Sequence, residues 1–311
     1  LLCKRRHGVH QYREEGLRFM NPAQPTTRTR PVASVFIRAF LSRKTIGPTL
    51  AYLGTVMKDF FFLQFSVKFG LKEIPIINVD HPLDRTVPFT PGLVTVYLDF
   101  VAFWIRPLDY IGSRFGRKKQ AEYTAAFLRI VRRCYQDAAR VYRFRMTTTQ
   151  RPAYYKGHFR IIHMFDPHYL CVPSLHVIIV VLAYTFYRKA FAELGMPQDE
   201  AAILNRELFD GAVAITETVL YIKQHSVNCI PAALYAMTRI TPEEVTPSEV
   251  VRFIGTLFEG SATVEKKDVL AIREHILDMY ESLFLQGCHD DNWITPLQRW
   301  LNAYAAAGFL N

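Results

Sequence analysis

Residues 167–187 read PHYLCVPSLHVIIVVLAYTFY, 21 consecutive positions without Asp, Glu, Lys or Arg. A helix needs about 20 mainly apolar residues to cross a bilayer. This is the only stretch of the chain with that length and no formal charge, and its first part carries Ser174 and His176. Outward from it lie weaker segments of the same kind. Residues 45–67 are apolar but broken by Lys58 and Asp59, and residues 86–105 are apolar except for Asp99. Residues 121–142 are helical in propensity yet carry Arg129, Arg132, Arg133 and Arg140. Residues 211–222 and 224–238 are apolar again, with Glu217 and Lys223 as interruptions. Intramembrane charges usually face a bundle interior or a cavity. The repeated pattern predicts an all-α fold, a helical bundle of about six membrane-associated helices over residues 45–240. The competing reading is a soluble helical protein with long buried helices.

Composition narrows the classes. The chain has 311 residues, a net charge of +10 and a hydrophobic half, and its mean hydropathy is close to zero. That excludes a disordered protein. The basic excess is uneven. Residues 1–44 hold ten Lys or Arg against Glu14 and Glu15, and residues 106–145 hold eleven against three acids. Such clusters suit either a basic surface or cytoplasmic flanks of membrane helices. No RNA-binding motif or glycine-rich phosphate loop accompanies them, so no nucleic-acid partner is expected. Five cysteines at wide spacing, with no CxxC pair, predict neither a disulfide framework nor a structural metal.

The ends read differently from the middle. Residues 1–44 read as a basic arm, with Pro/Thr/Arg-rich sequence at 21–31 and no apolar core of a signal peptide. Residues 241–311 read as a small soluble helical appendage. Thr241-Pro242, Thr246-Pro247 and Thr295-Pro296 each resemble a helix start, with Glu or Gln three positions after Thr. Residues 267–286 predict an amphipathic helix with Leu270, Ile272, Ile276, Met279 and Leu283 inward and Gly287 as its stop. His275, His289, Asp290 and Asp291 read as surface groups.

Three elements stand in order: Arg151-Pro152, then Pro173-Ser174-Leu175-His176, then Lys223-Gln224-His225 before an apolar stretch. A lone histidine in an apolar run is usually just packed. Together, the three resemble the signature order of the type-2 phosphatidic acid phosphatase superfamily, which includes the vanadium haloperoxidases. The branch with Pro-Ser-Leu-His and Lys-Gln-His, similar to relatives of inositol phosphorylceramide synthases, is nearest. Phe165-Asp166 and Asp84…Val87-Pro88-Phe89 also look like that family's context. The resemblance implies a phosphatase or phosphotransferase that acts on a phosphorylated lipid and needs no metal or cofactor. It implies His225 as the nucleophile, forming a phosphohistidine, and His176 as the acid for the leaving oxygen. Histidine suits both roles because its pKa lies near neutrality. Arg151, Ser174, Lys223 and Arg145 would bind the phosphate.

The departures are specific. Thr218 and Val219 stand where the family has Ser-Arg, and Phe144, flanked by Arg143 and Arg145, stands where it has Lys. Cys229 stands where it has the Asp that orients the nucleophilic histidine. These motivate the alternative of a catalytically impaired relative that keeps the fold and binds a phosphorylated lipid; a soluble phosphatase or haloperoxidase-like enzyme is a third option. Alternating the spans with the basic arm inside places the basic segments on the cytoplasmic side and all three motifs on the other.

Overall fold

The structure is a computed structural model that describes residues 25–307. It is mostly helical, with one two-stranded sheet among the described residues. Helix α1 is Ala33–Leu41 and α2 is Ile46–Val56, which runs through a π-helical turn, Met57–Phe62, into α3, Leu63–Lys68. Strand β1, Ile76–Asn78, follows. Then come α4 (Val94–Leu98), α5 (Phe100–Phe115), α6 (Arg117–Phe144), β2 (Met146–Thr148) and α7 (His158–Phe165). Helices α8 (Leu175–Glu193), α9 (Gln198–Tyr221) and α10 (Cys229–Ile240) follow, and α11 (Pro247–Thr256), α12 (Lys266–Cys288) and α13 (Thr295–Ala306) complete the order.

The stretch that opened the sequence becomes α8, the axis of the fold. It packs on α5, α6, α9 and α10, and every residue from Val177 to Tyr187 is buried. A helix apolar on all sides is stable only when it is covered all round. Here protein covers it. Tyr187 stacks on Phe127 at 5.4 Å and donates its hydroxyl to the Trp104 carbonyl at 2.6 Å. Among the described residues, α8 alone is long and apolar enough to cross a membrane, and 78% of that stretch is buried inside the fold.

The other apolar stretches form different elements from those expected. Residues 86–105 are split between a short 3₁₀ turn, α4 and α5. The split falls at Asp99, whose carboxylate accepts from Arg106 at 2.7 Å. Residues 211–221 end a 24-residue α9 whose earlier part carries Asp199, Glu200, Arg206, Glu207 and Asp210. Residues 224–238 start as a turn and yield only the 12-residue α10.

The arginines of 121–142 lie on an amphipathic helix. Phe127, Val131, Cys134, Tyr135, Ala138 and Tyr142 form the buried face of α6, while Arg129, Arg133 and Arg140 are exposed. Asp137 lies 3.6 Å from both Arg133 and Arg140. Arg132 donates to Thr55 at 3.1 Å, and Arg143 pairs with buried Asp59.

Both ends depart from the reading of separate pieces. Residues 1–24 lie outside the described residues, but from residue 25 onward the basic arm is fastened to the core. Thr26 and Thr27 donate to Glu207, and α1 packs on α2 and α5. The tail is equally docked. Helix α12 packs on α10, Tyr235 donates to the Trp293 carbonyl at 2.7 Å, and Arg239 donates to the Gly287 carbonyl at 3.1 Å. Gly287 lies inside α12 and does not stop it; a Cβ there would sit 2.2 Å from the Tyr235 hydroxyl. Val269 and Tyr280 join Ile272, Ile276, Met279 and Leu283 on the inner face, whereas Leu270 points outward. Of the three Thr-Pro starts, Thr246 caps α11 through the Glu249 amide. Thr295 opens α13 with Pro296 next, and Thr241 lies at a turn.

Candidate active site

Strands β1 and β2 pair in parallel, with Ile76 opposite Met146 and Asn78 opposite Thr148. This pairing holds the two loops that lead to the site. One, residues 79–93, carries Asp84; the other, after β2, carries Thr149 and Arg151. The remaining parts are the N-terminus of α8 and the turn between α9 and α10.

Ser174 is the N-cap of α8. Its extended backbone and its hydroxyl, which accepts from the Val177 amide at 3.4 Å, start the helix. Capping by serine satisfies one of the amides that a helix start leaves unpaired. His176 follows within the first turn. In the α9–α10 turn, Lys223 takes a left-handed backbone with φ of 56°. The amides of Gln224 and His225 both fold back to the Val219 carbonyl, at 2.9 and 3.2 Å. That reversal aims His225 at the start of α8. The Ser174 hydroxyl lies 3.3 Å from His225 Nε2, and His176 Nδ1 lies 3.3 Å from the same nitrogen. Three residues 51 positions apart at most thus meet on one atom.

The opposite nitrogen of His225 is built differently. Nδ1 is buried and has no hydrogen-bond partner. Cys229, at the position where an orienting carboxylate is expected, turns its sulfur to the Ser226 amide at 3.4 Å. Burial raises its thiol well above the usual range, so it stays neutral. Burial, with His176 and His168 nearby, pushes the His225 imidazole well below its usual pKa. The ring is therefore neutral at pH 7.

Arg151 belongs to the same neighbourhood, but its fork is engaged. It donates to the Asp166 carboxylate at 2.6 Å and to the Asp166 carbonyl at 3.1 Å, while its buried Nε has no partner. Asp166 also accepts from the His168 amide at 2.9 Å. Burial opposes its charge, but the His168 hydrogen bond and the Arg151 charge hold the carboxyl well below the usual range. His168 is buried in a left-handed conformation. Its Nε2 sits 2.7 Å from the Thr149 hydroxyl, and its ring lies 6.5 Å from that of His225. Burial lowers its pKa. His168 and Thr149 carry no motif in the sequence, and only the Phe165-Asp166 context pointed at their region.

Two expected phosphate ligands have other partners in the free chain. Lys223 donates to the carbonyls of Asp84, at 2.5 Å, and Val87. Its ammonium is spent on holding that loop. The Asp84 carboxylate returns the grip, accepting from the Val227 amide at 2.8 Å and the His81 amide at 2.7 Å. Arg145 places its guanidinium 6.0 Å from the centre of the Phe144 ring, and its buried Nε has no hydrogen-bond partner. Thr218 donates to the Ala214 carbonyl, and Val219 contributes only its backbone.

The tail reaches the site as well. His275 stacks on His81 at 4.0 Å, and its Nε2 lies 2.8 Å from Asn228 Oδ1. Asn228 in turn donates to the Val79 carbonyl at 3.1 Å. His275 is thus a buttress of the α9–α10 turn and not the surface group expected. Beside the cluster opens a cavity of about 920 Å³, lined by Arg151, Lys223, His81, Asp84, Arg85 and Phe89 among others. The histidine cluster adjoins it through Arg151 and does not line it.

The chain matches no family model, no curated protein and no solved structure.

Proposed function

We propose that the chain is a lipid phosphatase or phosphotransferase that works through His225. The observation that carries this reading is the convergence of Ser174 and His176 on His225 Nε2, each at 3.3 Å, at the start of α8. In the free chain the two imidazoles bond to each other, and a phosphoryl group entering between them replaces that bond. The lone pair of His225 Nε2 then forms a bond to phosphorus as the phosphorus–oxygen bond to the alcohol breaks. Burial pushes the His176 pKa down to about 4 in the free chain, so the step needs His176 as the imidazolium, paired with the phosphate dianion. The imidazolium delivers its proton to the departing oxygen and becomes the neutral imidazole. Water, or an acceptor hydroxyl, attacks the phosphohistidine in the second step; His176 takes its proton and the P–N bond breaks. The α8 amides and their dipole favour the phosphate's negative charge. Arg151 adds a fork suited to phosphate oxygens, once it exchanges Asp166 for them. The exposed apolar side chains around α2 support a lipid as the substrate.

Attack by Nε2 requires its lone pair to be free, which puts the proton on Nδ1. That proton has no acceptor here. This observation favours one second reading, a relative that retains the phosphate pocket with greatly slowed turnover. Phosphate release from a panel of lipid phosphates, by the wild type and His225→Ala in parallel, tests the proposal. Release that depends on His225 supports it, and equal release by both chains overturns it.

A further inference from the structure

The helix over residues 46–68 packs Tyr52, Val56, Phe60 and Val67 on the core, yet its outer face is apolar as well. The side chains it buries completely are mostly polar: Thr49, Thr55, Asp59, Gln64 and Ser66, with Leu63. Gln64 is fully buried with both amide atoms unpaired, while Asp59 pairs with Arg143 and Thr55 accepts from Arg132. The side chains it exposes are largely apolar. Leu50 is 56% exposed, Met57 60% and Phe62 58%, with Ile46 beside them. Ile46, Leu50 and Met57 recur at spacings of four and seven, which makes one stripe. Phe69 and Leu71 extend the exposed set, and α1, packed on α2, adds Phe36, Ile37 and Leu41. Water penalises such a surface, and contiguous apolar patches of this kind mark interaction sites.

The basic residues around the stripe say what covers it. Arg43 and Lys44 stand before it, Lys58 lies midway, and Lys68 and Lys72 close it, all exposed. Lys72 Nζ sits 5.6 Å over the Phe62 ring and Lys68 Nζ 5.5 Å over the Phe65 ring. Aromatic bodies with cationic tips reaching past them are the arrangement of a helix at a membrane interface. The exposed acid nearby is Glu73, and Asp59 is already paired. Two copies meeting on this face would bring five cations on each side together, which disfavours self-association. Lys58, halfway along, would sit at mid-bilayer in a spanning helix but reaches headgroups if the helix lies flat.

We infer that this face docks the protein along one leaflet of an anionic bilayer, with Leu50, Met57 and Phe62 in the acyl boundary and the lysines among the headgroups. The inference concerns binding and is independent of the chemistry at His225. Its test is flotation of the full chain with vesicles of phosphatidylcholine, with and without phosphatidylserine. The wild type should float with the anionic vesicles, more weakly as salt rises. Leu50→Asn/Met57→Asn/Phe62→Asn should lose about ten-fold or more in apparent affinity, because each side chain gives up apolar burial, while its circular dichroism spectrum and dissolved monomeric state stay unchanged. Lys68→Gln/Lys72→Gln should lose the preference for phosphatidylserine and keep the fold. His225→Ala should float like the wild type. The inference is overturned if the wild type does not bind either vesicle, if binding is unaffected by the triple change, or if the triple change instead abolishes a concentration-dependent dimer. Retention in the bilayer through alkaline carbonate washing would overturn the one-leaflet placement; release supports it.

Discussion

The N-termini of α8 and α10 meet at His225, and they are built unequally. At α8, Ser174 and His176 converge on Nε2, with an α-helix start behind them. At α10, Cys229 turns away to the Ser226 amide and leaves Nδ1 buried without a partner. One side of the imidazole has two side-chain partners and, on the proposed reading, would face phosphate; the other lacks a group that would fix its proton. The difference separates recognition from turnover. A site can keep the groups that face its substrate while losing the group that tunes the nucleophile from behind.

The largest expected effect removes the ring on which both sides act. His225→Ala should lower lipid-phosphate turnover by about 10⁴-fold or more, the scale of losing a nucleophile, with an unchanged thermal midpoint as control for folding. The second repairs the α10 side. Cys229→Asp should raise turnover by about 10²–10⁴-fold, the range spanned by loss of an orienting carboxylate elsewhere, and raise the His225 pKa in a histidine NMR titration. If turnover does not change, the α10 side is not what limits the site.

Protonation loads both sides at once. His225 and His168 have folded-state pKa values below their ordinary value of about 6.5, because both are buried. Below that value the unfolded chain takes up protons that the folded chain refuses, so stability is present above about pH 6.5 and is lost as pH falls. Each histidine contributes at most about 1.4 kcal/mol of loss per pH unit, and only until its folded-state pKa is reached. Thermal melts from pH 7 to pH 5 check this, and a His225→Ala chain should show a shallower slope.

Smaller changes probe how the α10 side is mounted. Asp84→Asn removes a carboxylate that accepts from the His81 and Val227 amides. It should cost about 1–3 kcal/mol by denaturant titration and lower turnover at nearly constant KM. Gly287→Ala, behind α10, pushes a methyl against Tyr235 and should cost about 1–3 kcal/mol, with little effect on turnover in the folded fraction.

Much of the α8 side was legible in the residues. Pro173-Ser174-Leu175-His176 and His225 kept their order, and the fold brings them together because a cap and a tight turn face each other. The α10 side was legible only as a departure, Cys229, since no pattern says where a sulfur points. The family resemblance assigned Lys223 and Arg151 to phosphate. The structure gives Lys223 to the Asp84 and Val87 carbonyls and Arg151 to Asp166. Long-range packing decides such pairings, and neighbouring sequence does not encode them. Hydropathy likewise counts apolar residues without saying what they face. It marked α8, which protein covers, above residues 46–68, where an apolar stripe is left exposed. His275 was hidden for a related reason: the tail reads as amphipathic, but which core it meets is a tertiary fact.

The most direct test is to trap the intermediate. The chain is mixed with a radiolabelled lipid phosphate, quenched, digested and analysed for acid-labile phosphate, in the wild type, Cys229→Asp and His225→Ala. Label on the peptide containing His225, stronger in Cys229→Asp and missing from His225→Ala, is the predicted result. Phosphate release with no label at His225, or label that survives His225→Ala, would contradict it.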